Sequence, residues 1–438
     1  GKPHSLEFCE NGAKATAWEL TSLKTSPEFF AQHSVTELLQ WHDYDLEQHG
    51  RLTHPLRYDP QTDHYRETSW EQAYQEIGSQ LRALEPDSVA FYASGRASLE
   101  TSFIYQLFAR AYGTNNLPDS SNMCHESTSV GLQESIGVPV GTVTLDDFQH
   151  TDCIFFFGQN VGSNSPRMLH DLQDARRRDV PIITFNPIRE RGLERFVNPQ
   201  SPTQMLGPDS TIISTQYHQV AIGGDIAAVM GIAKALFEMD KAALIKGEPA
   251  VIDQAFIAQH TEGFGEFAAM VREVEWAELE TRSGLTRSAM EAAATVYARS
   301  ERVMIVYGMG ITQHRKGVSA VQMLVNLLLL RGNIGKPGAG ICPVRGHSNV
   351  QGQRTVGISE DTGKVPVDKI EALFGFHVPT KKGRATVETC EGILDGSVRG
   401  FIGLGGNFLR AIPDTTRMEP AWRNLQLNVQ IATKLNRT

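Results

Sequence analysis

Short, nearly all-apolar segments that end in glycine or asparagine alternate along this chain with segments of helical length. The clearest begins at Asp152 and reads DCIFFFG to Gly158, with every position between the two ends apolar. Such a segment is typical of a strand whose sheet is covered on both faces. A helical pattern that starts at Pro166 and a second apolar strand, Val180–Phe185, complete one β-α-β unit over residues 152–186. The alternation predicts an α/β fold with a mostly parallel sheet.

The same alternation recurs before and after this unit. Strands are predicted at Ser88–Ala93, Val303–Tyr307 and Phe401–Leu404, and helices at Leu99–Tyr112 and 316–331. We therefore predict two doubly wound, mostly parallel α/β lobes, one of which is discontinuous in sequence.

Polar and glycine residues follow several of these strands at the point where each strand ends. The carboxyl edge of a parallel sheet is where doubly wound folds bind nucleotides, and exposed backbone amides there suit phosphate. One such strand end fits an ordinary turn equally well, but several in one chain favour a large, phosphate-bearing ligand. The strand ends in question are Gly158-Gln159-Asn160, Asn186-Pro187, Gly308-Met309-Gly310 and Gly405-Gly406-Asn407.

The domain boundaries follow from this pattern. Residues 121–349 are predicted to form an α/β dinucleotide-binding domain with a helical insert at 240–300, and residues 51–120 and 350–438 to form the discontinuous α/β domain. Residues 1–50 precede both domains. The polar segment 364–382, which contains glycine, proline and lysine, is predicted to be a surface loop or insertion.

Cys124 and His125 place a thiol and an imidazole side by side after a loop. We predict that they lie at the start of a helix, where the helix dipole would favour the thiolate form that binds soft metals. The alternative is a small buried cysteine beside a hydrogen-bonded histidine, which is the more common situation for an isolated pair.

Composition excludes several other classes of protein. The net charge of −9 over 438 residues disfavours a nucleic-acid-binding protein, because phosphate contacts need a basic face. The five cysteines lie at scattered positions and form no disulfide framework, which predicts a reducing, cytoplasmic location. The most apolar stretch, Val318–Leu330, is interrupted by polar residues, so we predict a buried helix and no membrane span.

Two adjacent motifs carry a resemblance to a known family. They read GNIGKPGAG from Gly332 to Gly340 and PVRGHSNVQG from Pro343 to Gly352. In this order they resemble the molybdopterin oxidoreductases of the dimethyl-sulfoxide-reductase class, and within it the formate-dehydrogenase-like alpha subunits. Cys124-His125 falls where these enzymes have a cysteine or selenocysteine followed by histidine, and Ser94-Gly95-Arg96 matches the segment before that ligand.

The resemblance implies a bis-molybdopterin guanine dinucleotide cofactor with molybdenum or tungsten, and Cys124 as the protein ligand of the metal. It implies His125 as the proton acceptor or electrostatic partner, Arg345 as the residue that binds a small anionic substrate, and Arg96 as a support of the substrate pocket. The reaction would be a two-electron oxidation or reduction, with an electron-transfer protein as partner. The residues that match cofactor-contacting segments are Gly158, Gln159, Asn160, Asn186, Asp225, Gly308, Met309, Gly310, Gly405, Gly406 and Asn407.

The chain departs from the family pattern at three places. His347 stands where formate dehydrogenases usually have glutamine. We therefore predict a small anionic substrate that need not be formate. Residues 1–50 resemble the end of an iron–sulfur domain, but Cys9 is the single cysteine there, so a 4Fe-4S cluster requires further cysteines upstream. Family members also continue beyond the position of Thr438 with a domain that closes over the cofactor.

Two alternatives stay open. One is a non-catalytic scaffold or electron-wiring subunit of a redox complex, which would keep the fold without the metal. The other is a nicotinamide-dependent dehydrogenase on a similar sheet, which the chain disfavours because no G-x-G-x-x-G opens a helix after its first strand.

Overall fold

The computed structural model describes residues 10–438, and the predicted iron–sulfur ligand Cys9 lies outside the described residues. The chain divides into two compact units. Among the described residues, the first unit comprises 10–16 and Cys124–Gly346, and the second comprises Ala17–Met123 and His347–Thr438.

The strands and helices are numbered here in chain order. The strands are β1 Lys24–Thr25, β2 Arg51–Leu52, β3 Leu56–Asp59, β4 His64–Glu67, β5 Val89–Ala93, β6 Cys153–Phe157, β7 Ile182–Phe185, β8 Arg195–Phe196, β9 Thr211–Ile212, β10 Gln216–His218, β11 Val303–Tyr307, β12 Gly340–Pro343, β13 Gly400–Leu404 and β14 Leu427–Ile431. The helices are α1 Glu10–Glu19, α2 Pro27–Gln32, α3 Val35–Leu38, α4 Asp43–Gln48, α5 Trp70–Ala83, α6 Leu99–Tyr112, α7 Ser120–Cys124, α8 Glu126–Ile136, α9 Asp147–His150, α10 Val161–Asn164, α11 Met168–Arg177, α12 Arg191–Glu194, α13 Pro202–Leu206, α14 Asp225–Lys246, α15 Gln254–His260, α16 Phe264–Glu273, α17 Trp276–Ser283, α18 Arg287–Arg299, α19 Met309–Thr312, α20 Gly317–Leu329, α21 Val350–Thr355, α22 Val367–Phe374, α23 Thr386–Asp395, α24 Phe408–Ala411 and α25 Thr415–Trp422.

A five-stranded sheet with the strand order β10-β7-β6-β11-β12 forms the centre of the first unit. All of its neighbouring strands pair in parallel. Alternate residues of β6 enter different apolar cores: Phe155 and Phe157 pack in one, and Ile154 and Phe156 pack in the other. Both faces of the sheet are therefore covered, which explains why β6 is apolar throughout.

The second unit is built in the same way around the parallel sheet β14-β13-β5. Phe91 of β5 packs in the core on one face, and Tyr92 packs in the core on the other face. The prediction of an α/β fold with two mostly parallel sheets is confirmed, and the second unit is built from two long segments that are far apart in sequence.

The helical region begins earlier than the sequence pattern predicted. The 22-residue helix α14 starts at Asp225 and packs in the same apolar core as β6, together with side chains of α15 to α18. These helices thus extend one face of the sheet.

Two local predictions were wrong. The loop predicted before Pro166 contains the short helix α10, and the next helix begins at Met168. The segment 364–382 contains helix α22, whose Ile370 is buried with Val365 and Val378. Val367 and Phe376 of the same segment and Leu107 of α6 also pack in this apolar cluster, which holds the segment against the protein. Among residues 10–438, the structure contains no helix with both the length and the apolar character of a membrane span.

Candidate cofactor and active site

A cavity of about 470 Å³ lies at the carboxyl edge of the five-stranded sheet. Its walls come from the loops that follow all five strands, and these loops keep the order of the strands in the sheet. Neighbouring strands lie about 4.8 Å apart, so the row of loops extends over about 19 Å. The lining residues are Val220–Gly223 and Asp225 after β10, Asn186–Ile188 and Glu190 after β7, Gly158–Asn160, Asn164 and Ser165 after β6, Met309, Gly310, Gln313 and His314 after β11, and Val344–Gly346 after β12.

The loops after β6 and β11 approach each other closely at their glycines. A Cβ on Gly310 would lie 2.7 Å from the Cα of Gly158, and a Cβ on Gly308 would lie 2.0 Å from Oε1 of Gln159. The backbone N–H of Gly310 donates to the carbonyl of Gly158 at 3.0 Å. Gly158 also has a φ of +53°, which side-chain-bearing residues rarely adopt. Glycine at these positions therefore brings the two loops together in the middle of the cavity wall.

The charged groups of the cavity are separated by sign along this row. Asp225 and Glu190 belong to the loops at one end, and Arg345 belongs to the loop at the other end. Burial raises the pKa of Asp225 from 3.8 to about 6. Oε2 of Glu190 accepts a hydrogen bond from Nδ2 of Asn160 at 2.9 Å. A ligand that fills the cavity would therefore meet hydrogen-bond acceptors at one end and a cation at the other.

Cys124 lies next to the basic end of the cavity. Its Sγ is 3.1 Å from Sδ of Met309, which lines the cavity, and it accepts a hydrogen bond from the backbone N–H of Gly346. Burial raises the pKa of the Cys124 thiol above its ordinary value, against the opposing effects of that N–H and of the Arg345 guanidinium.

The predicted position of Cys124 at the start of a helix was wrong. Cys124 is the last residue of α7, and α8 begins at Glu126. The earlier helix forms because the carboxylate of Asp119 accepts from the N–H of Asn122 at 3.0 Å, while the side chain of Asn122 accepts from the N–H of Asp119 at 3.2 Å. The thiol consequently lacks the favourable position in the first turn of a helix that would lower its pKa.

His125 is fully buried, and both of its ring nitrogens have partners. Nε2 donates to the carbonyl of Val344 at 3.0 Å, because a carbonyl only accepts. Nδ1 lies 2.9 Å from Oγ1 of Thr128, which in turn lies 2.9 Å from the hydroxyl of Tyr307. Burial, followed by the charge of Arg345, lowers the pKa of His125 to about 4. The neutral ring therefore accepts at Nδ1 from Thr128, and Thr128 accepts from Tyr307.

Cys124 and His125 together hold the strand end that carries Arg345. The thiol accepts from the N–H of Gly346, and the imidazole donates to the carbonyl of Val344, on either side of Arg345 in sequence. The backbone of this arginine is thus fixed by the two residues that were singled out from the sequence.

The second unit has its own group of predicted residues at the carboxyl edge of its sheet. β5 and β13 are neighbours, so the turn at Gly95 and the glycine pair that follows β13 lie side by side. A Cβ on Gly95 would lie 2.9 Å from Nδ1 of His347, which shows that this imidazole packs directly on the turn. Burial against the protein and the charge of Arg96 lower the pKa of His347. Gly406 contacts this turn from the other side, since a Cβ there would lie 3.3 Å from Cβ of Ser94.

The predicted residues thus form two groups, one in each unit. In the first unit, Gly158, Gln159, Asn160, Asn186, Asp225, Met309, Gly310 and Arg345 line the cavity, with Gly308, Cys124 and His125 beside it. In the second unit, Arg96, His347, Gly405, Gly406 and Asn407 belong to the edge of the three-stranded sheet. Their roles in binding and catalysis stay predictions.

Sequence reasoning missed Glu190 and His314, which also line the cavity. Each lies four residues beyond a predicted position, Glu190 after Asn186 and His314 after Gly310. Following the loop after β7 up to α12 would have included Glu190, and following the segment after β11 past the short helix α19 up to α20 would have included His314.

No group of three or more His, Cys, Asp or Glu side chains within residues 10–438 is arranged to hold a metal ion. A metal bound at Cys124 would therefore need its other ligands from a cofactor. Soft metals accept thiolate and dithiolene sulfur, which fits a single protein thiol next to a cavity long enough for an organic cofactor.

The molybdopterin oxidoreductase family model matches residues 51–436, and the chain belongs to this family. Protein YdeP of Escherichia coli (strain K12) is 49% identical to it over 435 residues, which are 99% of this chain and 57% of that protein. The uncharacterized oxidoreductase Rv2900c of Mycobacterium tuberculosis (strain ATCC 25618 / H37Rv) is 45% identical over 436 residues, which are 99% of this chain and 55% of that protein.

The chain is also similar to a named enzyme in sequence and to a solved structure in fold. Formate dehydrogenase H of Escherichia coli (strain K12) is 28% identical over 374 residues, covering 82% of this chain and 48% of that enzyme. Acetylene hydratase from Pelobacter acetylenicus superposes with a TM-score of 0.67 at 16% identity, over 98% of this chain and 56% of its own, which shows a shared fold. The chain spans about half the length of the curated relatives it matches.

Proposed function

We propose that this chain is the part of a formate-dehydrogenase-like molybdopterin oxidoreductase that binds the metal and the substrate. The enzyme would catalyse the two-electron oxidation or reduction of a small anion at a molybdenum or tungsten centre ligated by Cys124. The observation that carries the proposal is the juxtaposition of the Cys124 thiol and Arg345 at one end of a cavity that runs along the carboxyl edge of a parallel sheet. The similarity to formate dehydrogenase H supports a small anion as substrate.

The residues of the cavity fit a pterin guanine dinucleotide. Its volume of about 470 Å³ is in the range of sites for one cofactor-sized ligand. The carboxylates of Asp225 and Glu190 are acceptors for the N–H groups of a guanine, and the glycine loops after β6 and β11 belong to the part of the cavity between these carboxylates and Arg345. The thiol lies at the end where the pterin sulfurs would have to lie for a shared metal. We assign the second dinucleotide to the other strand edge, at Gly405, Gly406 and Asn407.

The roles of the protein groups follow from their chemistry. When bound, the cofactor supplies the redox chemistry, and the protein supplies position and charge. The guanidinium of Arg345 binds a carboxylate or similar oxyanion with two parallel hydrogen bonds. Cys124 must lose its proton to act as a ligand; burial raises the pKa of its thiol, and the N–H of Gly346 and the charge of Arg345 act in the opposite direction.

His125 holds the Val344 carbonyl through its Nε2–H, and its assignment as the proton acceptor remains part of the proposal. Its unprotonated nitrogen is occupied by Thr128, so proton uptake at Nδ1 requires that the Thr128 hydroxyl turns away. We assign Arg96 and His347 to the substrate pocket. His347 stands where formate dehydrogenases usually have glutamine, so the substrate proposed here is a small anion that need not be formate. An electron-transfer partner protein, an iron–sulfur cluster at Cys9 and a cytoplasmic location also belong to the proposal.

Metal analysis of the full-length protein tests this function. Molybdenum or tungsten near one atom per chain, in protein produced by cells that make the cofactor, is the expected result. Protein that is folded but carries neither metal would contradict the enzyme and favour a non-catalytic scaffold on the same fold.

A further inference from the structure

We propose that His314 binds a phosphate oxygen of the ligand that occupies the cavity of the first unit. This inference rests on the proposed function and adds a binding residue to it. His314 lies four residues beyond Gly310, between the helices α19 and α20 that follow β11, and lines the cavity.

The hydrogen bonds of His314 leave one ring nitrogen without a partner. Nδ1 accepts from the backbone N–H of Lys316 at 3.3 Å, so this nitrogen carries no proton and the proton of the neutral ring is on Nε2. Nε2 is shielded from solvent and has no hydrogen-bond partner. A buried N–H that makes no hydrogen bond costs free energy. An acceptor atom on a ligand in the cavity would remove this cost.

The acceptor is expected to carry negative charge. Arg315 and Lys316 follow His314 directly, and Arg345 belongs to the next loop in the order of the sheet. The carboxylate of Glu190 belongs to the loop after β7, two strands from β11, and accepts a hydrogen bond from Nδ2 of Asn160. The field around His314 is therefore positive, and it favours an anionic oxygen over a neutral carbonyl.

Position within the row of loops identifies which part of the ligand this oxygen belongs to. The cavity has its carboxylates at the β10 end and its thiol and arginine at the β12 end, so a base and a reacting group would occupy the two ends. The loop of His314 lies between them and begins with the glycines that pack on Gly158. The connecting phosphates of a dinucleotide would lie at this middle position.

Two substitutions in the full-length protein distinguish the contribution of the N–H donor to ligand binding from that of the aromatic ring. His314→Phe keeps an aromatic ring and removes the N–H, whereas His314→Gln keeps a donor near the position of Nε2. A hydrogen bond to a charged group corresponds to about a tenfold to hundredfold change in affinity. His260→Phe is the matched control, since His260 is an exposed residue at the end of α15 and outside the cavity lining.

The assay is calorimetric titration of cofactor-free, full-length protein with GDP, guanosine and inorganic pyrophosphate. We expect His314→Phe to weaken GDP and pyrophosphate at least about tenfold and to leave guanosine unchanged, with His314→Gln and His260→Phe close to wild type. The molybdenum content of His314→Phe purified from cofactor-producing cells should fall in parallel.

The other outcomes overturn different statements. If wild type binds GDP and His314→Phe binds it equally well, the inference about His314 is wrong and the proposed function stands. Equal weakening of GDP and guanosine would place the donor at the nucleoside and refute the phosphate contact. Tight pyrophosphate binding without GDP binding would indicate a site for a free anion. If neither GDP nor guanosine binds to wild type, and the protein also lacks metal, both the inference and the proposed function fail.

Discussion

Replacement of Gly310 by alanine tests whether the loops after β6 and β11 must touch. The new Cβ would lie 2.7 Å from Cα and 2.8 Å from the carbonyl oxygen of Gly158, and both are backbone atoms that cannot rotate away. Overpacking of this kind costs about 1–3 kcal/mol, so we expect a loss of about 2 kcal/mol in the free energy of unfolding. For a unit of this size, about 2 kcal/mol lowers the unfolding temperature by about 4–8 °C.

Gly265→Ala is the matched control. Gly265 is also a helical glycine, in α16, but a Cβ there would have no heavy atom within 4 Å. Alanine in an open helical position stabilises by about 0.5–1 kcal/mol, so the control should unfold at a slightly higher temperature than wild type. Differential scanning calorimetry of both variants measures the difference. If Gly310→Ala were as stable as Gly265→Ala, the close approach of the two loops would not exist.

Two further substitutions test the buried polar groups. The pKa of Asp225 is about 6 in the folded protein and 3.8 in the unfolded chain. Because the unfolded chain loses this proton first, the free energy of unfolding falls as the pH rises from 3.8 to about 6, by a total of about 3 kcal/mol. In urea unfolding of the cofactor-free protein at pH 4 and pH 7, Asp225→Asn should therefore lose less stability than wild type with rising pH, and identical pH dependence would refute the buried carboxyl. Thr128→Val leaves Nδ1 of His125 and the Tyr307 hydroxyl without a partner and should destabilise by about 1–3 kcal/mol, whereas Thr128→Ser keeps the hydroxyl. Equal stability of the two Thr128 variants would contradict the hydrogen-bonded chain.

The sheet architecture was predictable because it depends on strands that are apolar on both faces. Phe155 and Phe156 are neighbours in sequence and pack in different apolar cores. A polar residue at either position would therefore be buried in one of these cores. Such segments are visible in a single sequence. The helix in segment 364–382 was not predicted, since its apolar residues are spread among polar ones and pack against Leu107 of the distant helix α6.

The site was predictable to the extent that it follows from strand ends. Glycine or asparagine after an apolar strand indicates the carboxyl edge of a sheet, and the loops marked in this way after β6, β7 and β11 line the cavity. The local structure at Cys124 was not predictable, because reciprocal hydrogen bonds between Asp119 and Asn122 start a helix before the cysteine. The chain Tyr307–Thr128–His125 joins residues that are far apart in sequence, and no local pattern indicates it.

The ligation of the metal by Cys124 is the central claim, and X-ray absorption at the molybdenum or tungsten edge tests it most directly. Full-length wild-type protein and Cys124→Ser are compared after purification from cells that supply the cofactor. The account predicts one sulfur neighbour fewer around the metal in Cys124→Ser, with a serine oxygen or water in its place. The same number of sulfur neighbours in both proteins would contradict it.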